Sequence, residues 1–262
     1  MQGWRLIDSG PMDAFLNMAV DEALAIGVRE GMAPTLRFYS WERPSVSIGC
    51  FQKAEELDLA YLNNAGIPFV RRPTGGRALL HGLELTYSFS AGTGEGAFSG
   101  GLLESYRKLS SALSLALRAL GLDTEARLHR QHPRAPRSPL CFQSTSYGEI
   151  TVEGRKVVGS AQKRWQTAML QQGSMPFTID IPRLRMAFRT GLRGKVLEGS
   201  MAGLREFLPG LGPEALKAAI RASFEEVFGT RLLEAPLTDK EEALAGELLQ
   251  KKYRSPEWNL RK

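Results

Sequence analysis

With 262 residues the chain is long enough for one large α/β or α+β domain with a well-buried core, and it shows no repeat or low-complexity tract. No apolar run approaches the roughly 20 residues that cross a bilayer, and the start, Met1-Gln-Gly-Trp-Arg-Leu-Ile-Asp8, lacks the basic and apolar regions of a signal peptide. A net charge of +6 and a pI near 9.4 favour an acidic partner, but no helix-turn-helix, zinc-finger or aromatic-basic RNA signature is present. The basic residues are densest at Arg127–Arg137 and Arg183–Lys195, a surface suited equally to an acidic carrier protein or domain. Two cysteines, Cys50 and Cys141, make no disulfide framework, so free thiols in a cytoplasmic protein are expected.

In chain order, Trp4–Ile7 predicts a strand, and Asp13 caps a helix to about Val28 with Leu16, Ala19, Val20, Ala23 and Leu24 on one face. Thr35–Ser40 and Ser45–Gly49 predict two short strands joined like a hairpin through Trp41–Pro44. Cys50 follows as a small buried apolar residue. Asp58–Asn64 predicts a short helix stopped by Gly66, and Ile67–Val70 a strand. After a Thr-Gly-Gly turn, Leu85–Phe89 is a strand in which Leu85, Tyr87 and Phe89 alternate with Thr86 and Ser88. Gly92–Gly101 reads as a mobile loop, Leu103–Leu120 as a strong amphipathic helix ended by Gly121, and Leu128–Pro139 as an irregular exposed loop. Tyr147–Val152 and Lys156–Ala161 flank the hairpin turn Glu153-Gly154, and Ala168–Met175 is the next strand. Arg183–Ser200 has little periodicity. Pro213–Phe228 predicts a helix, and the capping box Thr238/Glu241 opens a last one to about Tyr253. The expected fold class is a single α+β domain of mixed and antiparallel sheets flanked by helices. Residues 1–200 would form its catalytic core and 201–262 a small C-terminal helical extension.

The densest chemistry lies in Arg71–Ser90, RRPTGGRALLHGLELTYSFS. Arg71, Arg72, Arg77, Thr74 and His81 surround the adjacent glycines Gly75 and Gly76, which let backbone approach a ligand closely. Such a loop can close over a carboxyl, acyl or phosphoryl group. No phosphate-binding G-x-x-x-x-G-K-[ST], no G-x-G-x-x-G opening a helix and no H-E-x-x-H occurs. His129 and His132 are three apart in a predicted loop without an evident third ligand, so no metal site is expected. Cys141 lies between that loop and the hairpin, and Lys156 follows the hairpin turn. A free thiol of pKa about 8.5 is only a few per cent thiolate near neutrality, so a nearby ammonium would activate it. Cys–Lys is thus a workable nucleophile pair.

Several segments together resemble the lipoate/biotin protein ligase and octanoyltransferase superfamily over nearly the whole chain. Trp4-Arg-Leu-Ile-Asp-Ser-Gly, Asn17-Met-Ala-Val-Asp-Glu-Ala and Leu36-Arg-Phe-Tyr-Ser-Trp resemble its opening. Arg71-Arg-Pro-Thr-Gly-Gly-Arg-Ala-Leu-Leu-His resembles its acyl-binding loop, Glu153-Gly-Arg-Lys-Val-Val-Gly-Ser-Ala-Gln its lysine segment, and Met201-Ala-Gly-Leu-Arg-Glu-Phe-Leu-Pro-Gly-Leu a later element. Cysteine-dependent octanoyltransferases are the most similar branch, because Cys141 occupies the segment before the lysine hairpin. Gly82 stands where relatives commonly have Asp, and Gln172 where they commonly have His.

The resemblance implies the biotin/lipoate ligase catalytic fold, with Cys141 and Lys156 as catalytic residues. It further implies Arg72, Thr74, Gly75, Gly76, His81, Gly159, Ser160 and Ala161 as substrate-binding residues. The implied reaction carries octanoyl from acyl carrier protein, through a cysteine thioester, to a lysine of a lipoyl domain such as glycine-cleavage H protein. The donor is borne on phosphopantetheine, and no other cofactor, nucleic acid or membrane is implied. An ATP-dependent lipoate ligase, a lipoyl-domain amidotransferase and a non-catalytic carrier-binding module remain as alternatives.

Overall fold

A computed structural model describes residues 3–94, 96–127, 149–189 and 199–261. Strand β1 (Trp4–Met12) leads into helix α1 (Ala14–Arg29), where the Asp13 carboxylate accepts from the N–H groups of Phe15 and Leu16. Then come β2 (Thr35–Trp41), β3 (Ser45–Ile48), α2 (Leu59–Asn64), β4 (Phe69–Arg71), β5 (Leu79–His81) and β6 (Glu84–Gly92). Helix α3 (Gly101–Ala119) precedes β7 (Thr124–Arg127), β8 (Glu149–Val152), β9 (Arg155–Arg164) and β10 (Ala168–Pro176). The chain closes with α4 (Ile181–Met186), α5 (Pro213–Phe228), β11 (Leu232–Glu234), α6 (Asp239–Leu248), a π-helical turn Leu249–Tyr253 and α7 (Pro256–Asn259).

The expected α+β class is what these elements build. An eight-stranded mixed sheet runs β11-β1-β2-β6-β10-β9-β8-β7, and a three-stranded sheet runs β4-β3-β5. One face of the large sheet packs on α3 and α5 through Leu109, Leu113, Leu117, Leu216, Ile220 and Phe224. Its other face packs on α1, α6 and Tyr253 through Met18, Leu24 and Ala245. The small sheet has its own core with α2 and α4, centred on Val46, Ile48, Leu62 and Leu184. Residues beyond 200 thus supply an edge strand and cover both faces of the large sheet.

The expected Glu153-Gly154 hairpin is present. Both residues have positive φ, 49° and 73°, which suits a two-residue turn between twisted strands. Other expectations fail for identifiable reasons. β2 and β3 do not pair as a hairpin, because they belong to different sheets. Trp41, buried at the end of β2, donates its indole N–H to Thr86 Oγ1, and Pro44 brings no N–H to a ladder, so the chain crosses instead of folding back. Gly96–Phe98 forms a helical turn within the glycine-rich stretch, and its Phe98 is buried against Trp4, Phe89 and Phe228. Cys50 is half-buried, not buried, with its Sγ accepting from Arg261 at 3.0 Å. Helix α4, capped by Asp180, opens the stretch read as aperiodic; six residues are too few to show a repeat. Strand β11 and helix α7, three and four residues long, were missed for the same reason. The Leu128–Pro139 loop and the histidine pair His129/His132 lie outside the described residues.

Helix α1 departs most from a simple amphipathic reading, since Asn17 and Asp21 are wholly buried beside its apolar residues. Asp21 accepts from Arg37 at 2.7 Å, Tyr39 Oη at 2.8 Å, Ser88 Oγ at 2.6 Å and Gln172 Nε2 at 2.7 Å. Arg37 also donates to Asn17 and Ser9 and lies over the Tyr39 ring. Truncating one member of a buried ion pair leaves the other charge uncompensated. Asp21→Ala is therefore expected to cost about 3–5 kcal/mol in urea unfolding, and Arg37→Met in the same chain to recover part of that loss. A double variant whose loss equals the sum of the two single losses would show that the pair is not coupled.

Candidate active site

Residues 72–78 link β4 to β5 and lie against β3 and the β9–β10 hairpin. Cys50 N–H donates to Thr74 O, and Arg72 N–H to Ile48 O, which draws the loop onto the end of β3. The approach is so close that a Cβ on Gly49 would sit 2.0 Å from Gly76 O. Gly76 itself has φ +85°, the left-handed region that only glycine adopts without strain.

The arginines expected to face a ligand instead build this loop. Arg71 is buried, and its guanidinium donates to the carbonyls of Gly49, Cys50, Gln52, Trp258, Asn259 and Arg261. Arg72 lines the site, but its guanidinium donates to Gly75 O at 2.7 Å, Arg77 O at 2.8 Å and Ser47 O at 3.2 Å. With the Thr74 and Gly75 carbonyls turned to Cys50 and to Arg72, the Gly75 and Gly76 N–H groups find no acceptor among the described residues.

Two buried carboxylates hold the loop through relays. Asp21 takes the Gln172 Nε2–H, and Gln172 Oε1 accepts from Thr74 Oγ1 at 2.8 Å. On the other side Glu84 Oε1 accepts from His81 Nδ1 at 2.8 Å, Thr86 Oγ1 at 2.6 Å and Ser174 Oγ at 2.9 Å. With the Nδ1 proton facing Glu84, His81 Nε2 accepts from Ser47 Oγ at 2.7 Å, and Ser47 Oγ accepts from Arg72 at 3.2 Å. The His81 ring stacks on Trp41 with centroids 3.8 Å apart. Gln172 thus has both amide ends engaged.

Between the loop and β9–β10 lies a narrow cavity of about 20 Å³, walled by Met18, Trp41, Arg72, His81, Ala161 and Gly173, with Gly159 and Ser160 alongside. It shares Trp41, Leu79, His81 and Ser174 with a larger, mainly apolar cleft of about 400 Å³. Gly173 has no side chain because Tyr87 passes there: a Cβ would lie 2.2 Å from its ring. The Tyr87 hydroxyl meets Ser160 Oγ at 2.9 Å and accepts from Gln171 Nε2 at 2.8 Å; burial pushes it up to about 12, so it stays protonated.

The structure therefore brings Arg72, His81, Gly159, Ser160 and Ala161 to one cavity, with Thr74 bonded to its Gln172 wall and Gly75–Gly76 at the adjoining edge. Lys156 does not line that cavity. It is buried on the same strand, its Nζ donating to Glu149 Oε1 at 2.7 Å. Cys141 lies outside the described residues. Glu149, Glu84, Asp21, Ser47 and Trp41 were not anticipated. Only Glu149 left a signal: the two-residue turn pairs Thr151 with Lys156, placing Glu149 on the neighbouring diagonal.

Burial alone would raise the Glu84 carboxyl, but His81, Thr86 and Ser174 outweigh it and hold the group below the ordinary carboxylate range. A carboxyl so lowered contributes stability fully present above its unfolded pKa and lost as pH falls through its folded one. Glu84→Gln should destabilise the protein at pH 7 by about 1.5–3 kcal/mol, with the gap to the parent narrowing below about pH 4. A gap independent of pH in denaturant titrations would refute the assignment.

The model of the lipoyl protein ligase A/B catalytic domain matches residues 13–225. An octanoyltransferase LipM of Kyrpidia tusciae is 42% identical over 276 residues, covering all of both chains. Among solved structures, the bipartite lipoate protein ligase of Thermoplasma acidophilum, described with its E2 lipoyl domain, has a TM-score of 0.84 at 27% identity, covering 99% of this chain and 97% of that one. A lipoate-protein ligase A bound with ATP has a TM-score of 0.83 at 29% identity, covering 99% of each chain. Matched over most of its length by the domain model and end to end by its relatives, the chain belongs to the lipoyl protein ligase A/B catalytic domain family and is an acyltransferase, an octanoyltransferase of lipoate biosynthesis.

Proposed function

We propose that the enzyme takes octanoyl from the thioester of acyl carrier protein onto Cys141 and passes it to a lysine of a lipoyl domain, with glycine-cleavage H protein as acceptor. The observation that carries this reading is the buried Lys156–Glu149 pair on the hairpin that follows Cys141 in the chain. Buried ion pairs add little net stability over apolar residues of the same volume, so this one is better accounted for by chemistry.

In the first step the Cys141 thiolate attacks the donor carbonyl, and the pantetheine thiol leaves with a proton. In the second, the acceptor amine attacks the Cys141 thioester, forms the amide, releases the Cys141 thiolate and loses a proton. Lys156 would stabilise the thiolate and exchange those protons, with Glu149 fixing its ammonium. The open Gly75 and Gly76 N–H groups would receive the oxyanion, and Met18, Trp41 and Leu79 would flank the acyl tail, each buried methylene contributing about 0.8 kcal/mol. A thioester is already activated, so ATP is not required. The 29% identity to an ATP-bound ligase across 99% of the chain keeps acyl-adenylate formation as the second reading.

Intact-mass analysis after mixing with octanoyl-acyl carrier protein separates the two. A covalent octanoyl adduct that needs no ATP and disappears in Cys141→Ala is expected, and strict dependence on ATP and free octanoate would overturn the proposal. Alkylation then tests the pair. Removing Lys156 strands a buried carboxylate, so Lys156→Met is combined with Glu149→Gln. The double variant should move the Cys141 alkylation pKa up toward about 8.5. Glu149→Gln alone, by uncovering the Lys156 charge, should move it down. Shifts in the same direction would make the pair purely structural.

A further inference from the structure

The wall of the narrow cavity continues into a second cleft that the chemistry above does not use. One residue past Ala161 on β9, and one side further along the glycine loop, Gln162 and Gly75 border an open cleft of about 550 Å³. Lys163, Arg164, Lys252 and Arg261 line it together with Trp258. Lys252 pairs with Glu22 at 2.6 Å, whereas Lys163, Arg164 and Arg261 pair with no carboxylate among the described residues. The cations are held in place rather than waving in solvent: Arg261 Cζ stands 3.9 Å and Lys252 Nζ 4.0 Å from the Trp258 ring centroid, on a segment that Arg71 ties to the glycine loop. At the rim Phe51 is 91% exposed, the most exposed large apolar side chain described. A rigid cationic hollow beside an exposed aromatic has the composition of a protein-docking site for an acidic partner.

Reach decides which partner. Bond lengths near 1.5 Å let a lysine side chain span about 6 Å from its backbone, whereas an extended pantetheine arm spans roughly 16 Å from sulfur to phosphorus. The acceptor must therefore bring its own protein surface against the mouth of the site, while the donor carrier can stand well back. The charged surface begins at Gly75, on the loop whose N–H groups would receive the oxyanion, so a partner seated there meets the mouth of the site.

On the reading of the reaction given above, we infer that the cleft bounded by Phe51, Lys163, Lys252 and Arg261 docks the acidic face of the lysine-bearing acceptor domain. It is not the docking site of the acyl donor.

The test separates the half-reactions. Phe51→Ala and Lys163→Glu are made in the full chain; neither residue takes part in the proposed chemistry. Octanoyl-acyl carrier protein is used to form the acyl-enzyme, which is then given either apo H protein or hydroxylamine, an amine without a protein surface. Single-turnover transfer to H protein should fall about tenfold in Phe51→Ala and further in Lys163→Glu. Acyl-enzyme formation and release by hydroxylamine should stay within about twofold of the parent. Slower acyl-enzyme formation would assign the cleft to the donor, and unchanged transfer to H protein would remove it from docking altogether; either overturns the inference. Equilibrium binding of apo H protein needs no chemistry and reads docking independently. If no acyl-enzyme forms in the parent but both variants still lose binding, the reaction scheme fails and the docking site stands.

Discussion

Asp21 is the group on which the rest of the structure depends. A carboxylate without access to water is tolerable only if hydrogen bonds replace its hydration, and here four donors from three strands converge on it: Arg37 and Tyr39 of β2, Ser88 of β6 and Gln172 of β10. Helix α1 therefore cannot rotate or slide on the sheet without stranding a buried charge. The same carboxylate reaches the glycine loop through Gln172 and Thr74. Glu84 does the corresponding work from the other side through His81, Ser47 and Arg72. A loop gripped by two buried anions is held through its own Thr74 and Arg72 side chains, which leaves its glycine N–H groups open.

That arrangement explains why a segment so rich in arginine presents so little of it. The guanidinium groups of Arg71 and Arg72 have rigid forks of donors, and backbone carbonyls at turns lack partners, so each satisfies the other. Arg71 joins the C-terminal turn to the end of β4 through three carbonyls of residues 258–261, while Trp258 Nε1 donates back to Arg71 O. The loop's outward face is left with backbone N–H groups, which suit an uncharged carbonyl that becomes negative only during reaction.

The buried Lys156–Glu149 pair follows the same economy of charge. As a unit it is nearly neutral, so its field falls off faster than that of a lone ammonium and acts only on a group placed close to the nitrogen. Among the described residues, charge without a carboxylate partner is instead collected along the open cleft, at Lys163, Arg164 and Arg261.

How much of this was legible follows from range. Features set by neighbours in the chain were readable: the Asp13 cap, the Glu153-Gly154 turn with its two positive φ angles, the Thr238/Glu241 capping box and the period of α3 and α5. The glycine loop, the lysine hairpin and the family were also in the residues, because close backbone approach at Gly75–Gly76 demands a particular sequence locally. Polar residues misled wherever their partners were distant. Thr86 and Ser88 alternate like a solvent-facing strand, yet β6 lies between β2 and β10 with both faces covered, so they answer Glu84 and Asp21. Arg71 reads as a ligand-binding cation until the chain end, 187 to 190 residues away, folds against it. Sequence alone determined the local geometry and the class of chemistry. Only the tertiary structure decided which charges are enclosed and which line an open cleft, because burial depends on contacts between segments far apart in the chain.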